Sequence, residues 1–168
     1  MNLAKFNLQE KIYIDSNIFL YVLLRNLKYV ANCKRFLIKV EEGKIKAVVS
    51  PLVIDEVAFK IIVETLKNQL KLGSNIEVLR KIDRKPALLN LSKPELLTFL
   101  FIIKNYKGLR VTSAISSTGI RLFDKIIKRN LLPRDALHLS VMEHYRIKHI
   151  ATNDQHFDNI PSVNVWKP

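Results

Sequence analysis

Residues 46–51 read Lys-Ala-Val-Val-Ser-Pro, and they contain the clearest strand-to-helix signal in the chain. Small and branched apolar residues between a lysine and a serine are typical of a short buried strand. Ser50 followed by Pro51 predicts a helix start, because serine caps free backbone N–H groups and proline suits the first helical position. The apolar spacing that follows predicts a long helix running toward Gly73, so a strand leads directly into a helix.

The same alternation of strands and helices extends in both directions along the 168 residues. The other predicted strands are 11–15, 109–113, 149–152 and 163–166. The other predicted helices are 18–24, capped by Ser16 or Asn17, 29–42, 75–84, 92–105, 118–129 and 133–145. This order predicts an α/β fold whose central, mainly parallel sheet of about five short strands is flanked by helices. No linker, repeat or low-complexity tract divides the chain, so 1–168 is expected to be one domain.

Four carboxylates lie where the predicted strands end or the following helices begin. Asp15 ends the first strand, and Glu56 lies in the first turns of the helix after the second. Asp135 lies in the first turn of a helix entered through Pro133, and Asp154 comes just after the fourth strand. Because sites in parallel α/β sheets gather beyond the carboxyl ends of the strands, we expect all four to face one edge.

Each of these acids also has a structural explanation. Asp15 can cap the next helix, Asp135 adds favourable charge at a helix N-terminus, and Asp154 fits an ordinary turn. Glu56 is the more informative residue, since its helix face is apolar and a glutamate there needs a lysine, arginine or metal partner. A structural salt bridge would also satisfy it.

Three or four carboxylates around one pocket suit a divalent cation. Mg²⁺ prefers oxygen ligands, keeps several waters and uses only a few carboxylates. Hydrolysis of a phosphodiester needs a nucleophilic water, neutralised charge at phosphorus and a stabilised leaving oxygen, and one or two such ions can serve these needs. The constellation therefore predicts a phosphodiester hydrolase that uses Mg²⁺ or Mn²⁺.

Four segments, taken together and in order, resemble the PIN domain family, particularly its small toxin nucleases of the VapC type. They are residues 14–17 (IDSN), 50–57 (SPLVIDEV), 132–138 (LPRDALH) and 151–157 (ATNDQHF). Ile160-Pro161 and the last predicted strand also fit the family's close. No single piece is diagnostic, but their order and spacing cover nearly the whole chain.

The resemblance implies a metal-dependent endoribonuclease with a PIN-like fold, RNA as substrate, an antitoxin protein as partner, and a homodimer. The acidic ligands that it implies are Asp15, Glu56, Asp135 and Asp154. The supporting residues that it implies are Asn17, Thr152 and Asp158. Asn17 would steady the first loop, and Thr152 would orient Asp154 or touch a metal-bound water. Asp158 would add an outer acid. The segment 75–107 is longer than in the smallest family members, which leaves the partner surface and the RNA target open.

The chain carries a formal net charge of +13. Such an excess favours a polyanionic partner through neutralisation of phosphates, although a solvated lysine-rich surface explains the same charge. Lys128, Arg129 and Arg134 stand just before Asp135 and are candidates for guiding an RNA backbone. Other basic clusters lie at residues 34–39 and 80–85.

The histidines at 138, 144, 149 and 156 do not show a zinc spacing, and we interpret them as structural or surface residues. His156 is the exception, because it neighbours Asp154 and is placed to meet a substrate. One cysteine permits no internal disulfide, and the N-terminus lacks a signal-peptide core, so a reducing cytoplasm is expected.

No apolar run approaches the ~18 residues needed to span a bilayer, so no membrane is expected. The longest run, residues 96–103, predicts a buried helix and is a candidate contact between two copies. Two other functions stay open: a PIN nuclease for RNA processing or turnover, and a non-catalytic basic RNA-binding domain whose acids merely cap helices. The presence of all four acids argues against the second.

Overall fold

The computed structural model describes residues 1–7, 9–113 and 116–168, with only the backbone of Ser116 described. The strands are β1 (Ile12–Ile14), β2 (Ala47–Val49), β3 (Leu109–Val111), β4 (His149–Ala151) and β5 (Asn164–Trp166). They form one sheet in the order β3-β2-β1-β4-β5, and each of its pairings is parallel. The predicted α/β fold is confirmed.

Seven α-helices flank this sheet within the described residues. They are α1 (Ser16–Leu23), α2 (Val30–Glu41), α3 (Pro51–Leu70), α4 (Asn75–Arg84), α5 (Lys93–Asn105), α6 (Ser116–Arg129) and α7 (Pro133–His144). Helix α1 packs against α2, α3 and α5, whereas α6 packs against α7. All of β1 is buried. Tyr13 contacts α7, so its neighbours Ile12 and Ile14 point to the opposite face.

The register of the sheet brings three strand ends to one level. Ile14 pairs with Ala151, and the backbone N–H of Asp15 donates to the Ala151 carbonyl at 3.0 Å. Tyr13 pairs with Val48, so β2 ends beside β1. The residues that follow β1, β2 and β4 therefore share one edge, which is the arrangement predicted for the acids.

The start of α1 differs from the prediction. The helix begins at Ser16, and its cap is Asp15 rather than Ser16 or Asn17. Asp15 keeps extended backbone angles while its carboxylate accepts from the Ser16 N–H, as an N-cap residue does. The start of α3 is as predicted, with Ser50 as cap and Pro51 in the first turn.

Helix α5 is only half buried, so the expectation of a buried helix over 96–103 is wrong for one face. Phe99 and Ile102 lie in the core. Leu97, Leu100 and Phe101 are 58%, 45% and 56% exposed. The apolar residues run around the helix rather than along one stripe, and the core covers only one side of it.

The helical stretch Pro86–Asn105 has the length and composition of a membrane span, with 20 residues and a mean hydropathy of 1.3. The sequence did not predict a helical stretch of this length, because polar residues interrupt the apolar run. The extra length comes from a 3-10 helix (Pro86–Ser92) that continues directly into α5. Length and composition are weak evidence alone, and charges at Lys93 and Glu95 would be costly inside a bilayer. Phe99 also packs against Phe19, with 5.3 Å between ring centroids, which ties α5 to the core.

Candidate metal centre

Asp15, Glu56 and His138 form the first half of the site. A ligand atom of each lies within 4.8 Å of the other two, and all three side chains are buried. Asp15 follows β1, Glu56 lies on α3 after β2, and His138 lies on α7. Three separate elements therefore deliver two carboxylates and an imidazole to one point at the carboxyl edge of the sheet.

The carboxylate of Asp15 is held by donors on both of its oxygens. Its Oδ1 accepts from the Ser16 N–H at 2.6 Å. Its Oδ2 accepts from Asn17 Nδ2 and from Thr152 Oγ1, each at 2.5 Å. Burial raises the pKa of Asp15 above its ordinary value, although the charge of His138 and these donors act in the opposite direction. A nearby cation would stabilise the ionised form of this buried carboxylate.

Asn17 and Thr152 tie the loop after β1 to the loop after β4. Asn17 Nδ2 donates to Thr152 Oγ1 at 3.0 Å, and the Asn153 N–H donates to Asn17 Oδ1 at 3.3 Å. Thr152 Oγ1 also accepts from the Asp154 N–H at 3.0 Å. The two residues thus lie where the family resemblance implied supporting roles, Asn17 beside Asp15 and Thr152 beside both Asp15 and Asp154.

Behind Glu56 lies a buried polar chain that the sequence did not reveal. His138 Nε2 lies 3.3 Å from Glu56 Oε2. His138 Nδ1 lies 2.9 Å from the Tyr13 hydroxyl, which is 2.6 Å from Ser50 Oγ. Burial alone would raise the pKa of Glu56, but the contact with His138 and the charge of Arg134 lower it below its ordinary value. The chain of contacts keeps Glu56 ionised and oriented.

Asp135, Asp154 and His156 form the second half of the site, again with ligand atoms within 4.8 Å of one another. His156 Nδ1 lies 2.9 Å from Asp135 Oδ2 and 3.3 Å from Asp154 Oδ1. Burial raises the pKa of Asp135, and the neighbouring charge of Asp154 raises it further. The charges of His156 and His138 offset this rise in the pKa of Asp135 only in part, so this half also favours a cation.

Both halves line one cavity of about 540 Å³. All four predicted acids lie in it, together with Asn17, Arg134 and both histidines. The guanidinium of Arg134 is mostly exposed and lies 3.7 Å from Glu56. The cavity therefore combines a carboxylate floor with one cation at its rim, which suits a metal ion below and a phosphate above.

Three predicted residues lie elsewhere. The Asp158 carboxylate accepts a hydrogen bond from Lys167 Nζ at 2.5 Å. Asp158 does not line the cavity that holds the four acids. Lys128 pairs with Asp124 one turn away, and Arg129 with Glu143 of α7. Asp158 follows Asp154 by four positions, and a 3-10 turn (Gln155–Phe157) lies between them. This turn carries the chain away from the strand edge, so Asp158 does not reach the other acids.

Sequence reasoning missed His138, which it interpreted as a structural or surface residue, and it singled out His156 only as a residue placed to meet a substrate. Neither histidine fits a zinc spacing. Position relative to the acids was the available signal: His138 lies one helical turn after Asp135, and His156 two residues after Asp154. Only folding sends His138 toward Glu56, which is far away in the chain.

The residues present fit a divalent cation. The donors are mainly carboxylate oxygens, the ligands that Mg²⁺ and Mn²⁺ prefer. Asp135 Oδ2 is buried, and His156 Nδ1 lies 2.9 Å from it and 3.3 Å from Asp154 Oδ1. One imidazole thus faces two carboxylates, and a cation in this cavity would stabilise both.

Fold and site together define a class: an α/β protein whose carboxylates converge at the carboxyl edge of a parallel sheet, in an arrangement that fits a divalent cation. The PIN domain family model matches residues 12–163. The chain belongs to the PIN domain family.

Two comparisons identify similar proteins. The chain is 29% identical over 159 residues to Ribonuclease VapC2 of Methanocaldococcus jannaschii, covering 94% of this chain and 93% of that one. Its fold is similar to a chain in the crystal structure of VapBC2 from Rickettsia felis bound to a DNA fragment from their promoter. That match has a TM-score of 0.55 and 14% identity, and covers 94% of this chain and 98% of the other.

Proposed function

We propose that this chain is a metal-dependent endoribonuclease of the VapC type, the toxin of a toxin–antitoxin pair that acts in the cytoplasm. One observation carries the proposal: the four acids predicted from sequence converge in one cavity. The family, the ribonuclease relative and the VapBC2 structure support it. The substrate would be RNA, and the partner an antitoxin protein.

The residues of the site would have three separate roles: holding the metal ion, fixing Asp15 and binding the RNA. Asp15, Glu56, Asp135 and Asp154 would hold Mg²⁺ or Mn²⁺, which when bound supplies charge neutralisation at phosphorus and an activated water. Asn17 and Thr152 fix the Asp15 carboxylate from one side, so its geometry is set before a ligand arrives. Arg134, at the rim, would bind a phosphate oxygen of the RNA.

Cleavage of end-labelled RNA by the purified protein tests the proposal. We expect cutting with Mn²⁺ or Mg²⁺ and none with EDTA. At a concentration 100 times its Kd, Mn²⁺ should stabilise the protein by about 2.7 kcal/mol, or roughly 5–10 °C in melting temperature. No cutting of varied RNAs, combined with no shift in melting temperature, would instead favour a non-catalytic RNA-binding domain.

The exposed face of α5 is the surface we propose for a homodimer. Leu97, Leu100 and Phe101 are large apolar residues open to solvent, and such a patch marks a contact surface. The double variant Leu100→Lys/Phe101→Lys is expected to convert a dimer into a monomer in light scattering coupled to gel filtration. Ile76→Lys/Leu79→Lys, a matched change on exposed apolar residues of α4, should leave the mass unchanged. A dimer that survives the first change places the interface elsewhere.

A further inference from the structure

A second cavity, of about 590 Å³, lies along β2 and β3, and its charged lining residues are all basic. They are Lys11, Lys46, Lys107 and Arg110, and we call this cavity the basic groove. None of the four forms an ion pair with a carboxylate in the part of the chain that the structure describes. By contrast, Lys125, Lys128 and Arg129 on α6 are all paired.

The topology of the sheet builds this cluster. Lys11 and Lys46 stand immediately before β1 and β2, and Lys107 stands two residues before β3. Neighbouring parallel strands are in register, since Ala47 pairs with both Ile12 and Leu109. The amino ends of three strands are therefore level, and each brings a lysine to the same edge.

Arg110 joins the cluster because of its place in the register. It pairs with Val48, which pairs with Tyr13, and paired residues point to the same face of a sheet. That face is the one on which α7 packs, and Tyr145 and Ile147, just beyond α7, complete the wall of the groove. The cations thus extend from the strand ends onto the exposed edge strand.

The backbone of the groove is fixed. Gly108 donates to the Val40 carbonyl at 2.8 Å and accepts from the Ala47 N–H at 2.7 Å. A Cβ atom at this position would lie 2.1 Å from the Ile45 carbonyl oxygen, so only glycine permits this approach. The positions of Lys46 and Lys107 are held by these bonds, so the groove exists before any ligand binds.

The basic groove and the metal centre share no lining residue. They are connected by α7, whose first turns line the metal centre and whose end lies at Tyr145. A helix of 12 residues is about 18 Å long, at 1.5 Å per residue. A ligand in the groove would therefore lie well away from the reacting bond.

We propose that the basic groove binds the phosphate backbone of the RNA flanking the cleaved bond. Four unpaired cations around one cavity repel one another, and an anion removes that repulsion. A stacked strand rises about 3.4 Å per nucleotide, so a span of about 18 Å corresponds to roughly five stacked nucleotides, or fewer in an extended strand. One short strand would therefore reach both sites. The inference rests on the proposed ribonuclease function for the identity of the polyanion.

The triple variant Lys46→Gln/Lys107→Gln/Arg110→Gln tests the groove. Binding of a fluorescent single-stranded RNA of roughly 20 nucleotides, long enough to span both sites, is followed by anisotropy in EDTA at several KCl concentrations. We expect Kd to rise at least about 10-fold and the slope of log K against log salt to fall by about 2, at about 0.7 per lost contact. Circular dichroism melting confirms that the variant is folded.

The matched control is Lys34→Gln/Lys81→Gln/Arg84→Gln, which removes the same charge from α2 and α4. Its Kd should stay within about 2-fold of the unmodified protein, because contacts rather than net charge carry the effect. Equal weakening by both triple variants, or no change with the groove variant, overturns the proposal. Tighter binding of polyglutamate than of RNA at equal charge, lost in the groove variant, would assign the groove to acidic protein instead. Binding is measured without metal, so this test does not depend on cleavage. Weaker RNA binding by the groove variant would support the groove even if the unmodified protein cuts no RNA.

Discussion

Asp15→Asn is expected to lower RNA cleavage by at least about 10³-fold while the protein stays folded. Asp15 is buried, lies in the cavity with the other three acids, and is fixed by Asn17 and Thr152. Removing its charge would weaken the hold on a cation that supplies several kcal/mol of charge stabilisation in the transition state, and about 4 kcal/mol corresponds to 10³-fold in rate. Single-turnover cleavage of labelled RNA with Mn²⁺ measures the loss.

The same variant should melt close to the unmodified protein in EDTA. Asparagine can still cap α1 with its carbonyl oxygen, but its NH₂ group would face the donors on Asn17 and Thr152, at a cost of about 1–3 kcal/mol. Loss of a buried charge whose pKa is already raised by burial offsets part of that cost. Stabilisation by Mn²⁺ should shrink with the activity.

Asp158→Asn is the matched control, since it makes the same change on an acid that pairs with Lys167 away from the cavity. We expect this variant to cut at the unmodified rate. Full cleavage by Asp15→Asn would remove Asp15 from the ligand set. A large loss of cleavage in Asp158→Asn would instead support the predicted role of Asp158 as an outer acid of the metal site.

His138→Ala is expected to cost about 3 kcal/mol or more of unfolding free energy, together with much of the activity. It leaves the buried Glu56 without its closest partner and opens a cavity next to Tyr13. Removing one member of a buried ion pair typically costs about 3–5 kcal/mol, because the remaining charge is unpaired. Arg134 is 3.7 Å from Glu56 and largely exposed, so it compensates only in part.

His144→Ala is the matched control for this variant, because it makes the same change at an exposed position on the same helix. Urea unfolding should place it within about 0.5 kcal/mol of the unmodified protein. If His138→Ala is equally mild, the contact between His138 and Glu56 contributes little, and Arg134 alone holds the carboxylate.

The effect of His138 on stability should depend on pH. Burial alone would lower the pKa of His138, but the contact with Glu56 and the charge of Asp15 raise it above its ordinary value. Its stabilisation is therefore complete below the unfolded value of about 6.5 and is lost as pH rises through the raised folded value. The lowered pKa of Glu56 removes the same stabilisation at low pH. In EDTA, the difference between His138→Ala and the unmodified protein should shrink at alkaline pH.

Much of the fold could be predicted because its signals are local. A strand such as Ala47–Val49 is short and apolar, and the cap at Ser50 directly precedes a helix, so periodicity and capping locate both elements. The edge at which the acids meet also followed from the sequence, because parallel strands must point their carboxyl ends in one direction. Local patterns did not reveal how much of α5 the core would cover.

An α/β protein with four acids at one edge of a parallel sheet could be predicted from the amino-acid sequence. Which other side chains reach those acids depends on the three-dimensional fold. It placed His138 beside Glu56 and His156 beside Asp135, kept Arg134 at the rim, and left Asp158 outside. It also gathered the cations of the basic groove from three strands. Strand order and register bring together residues that are far apart in the chain, and no local periodicity contains that information.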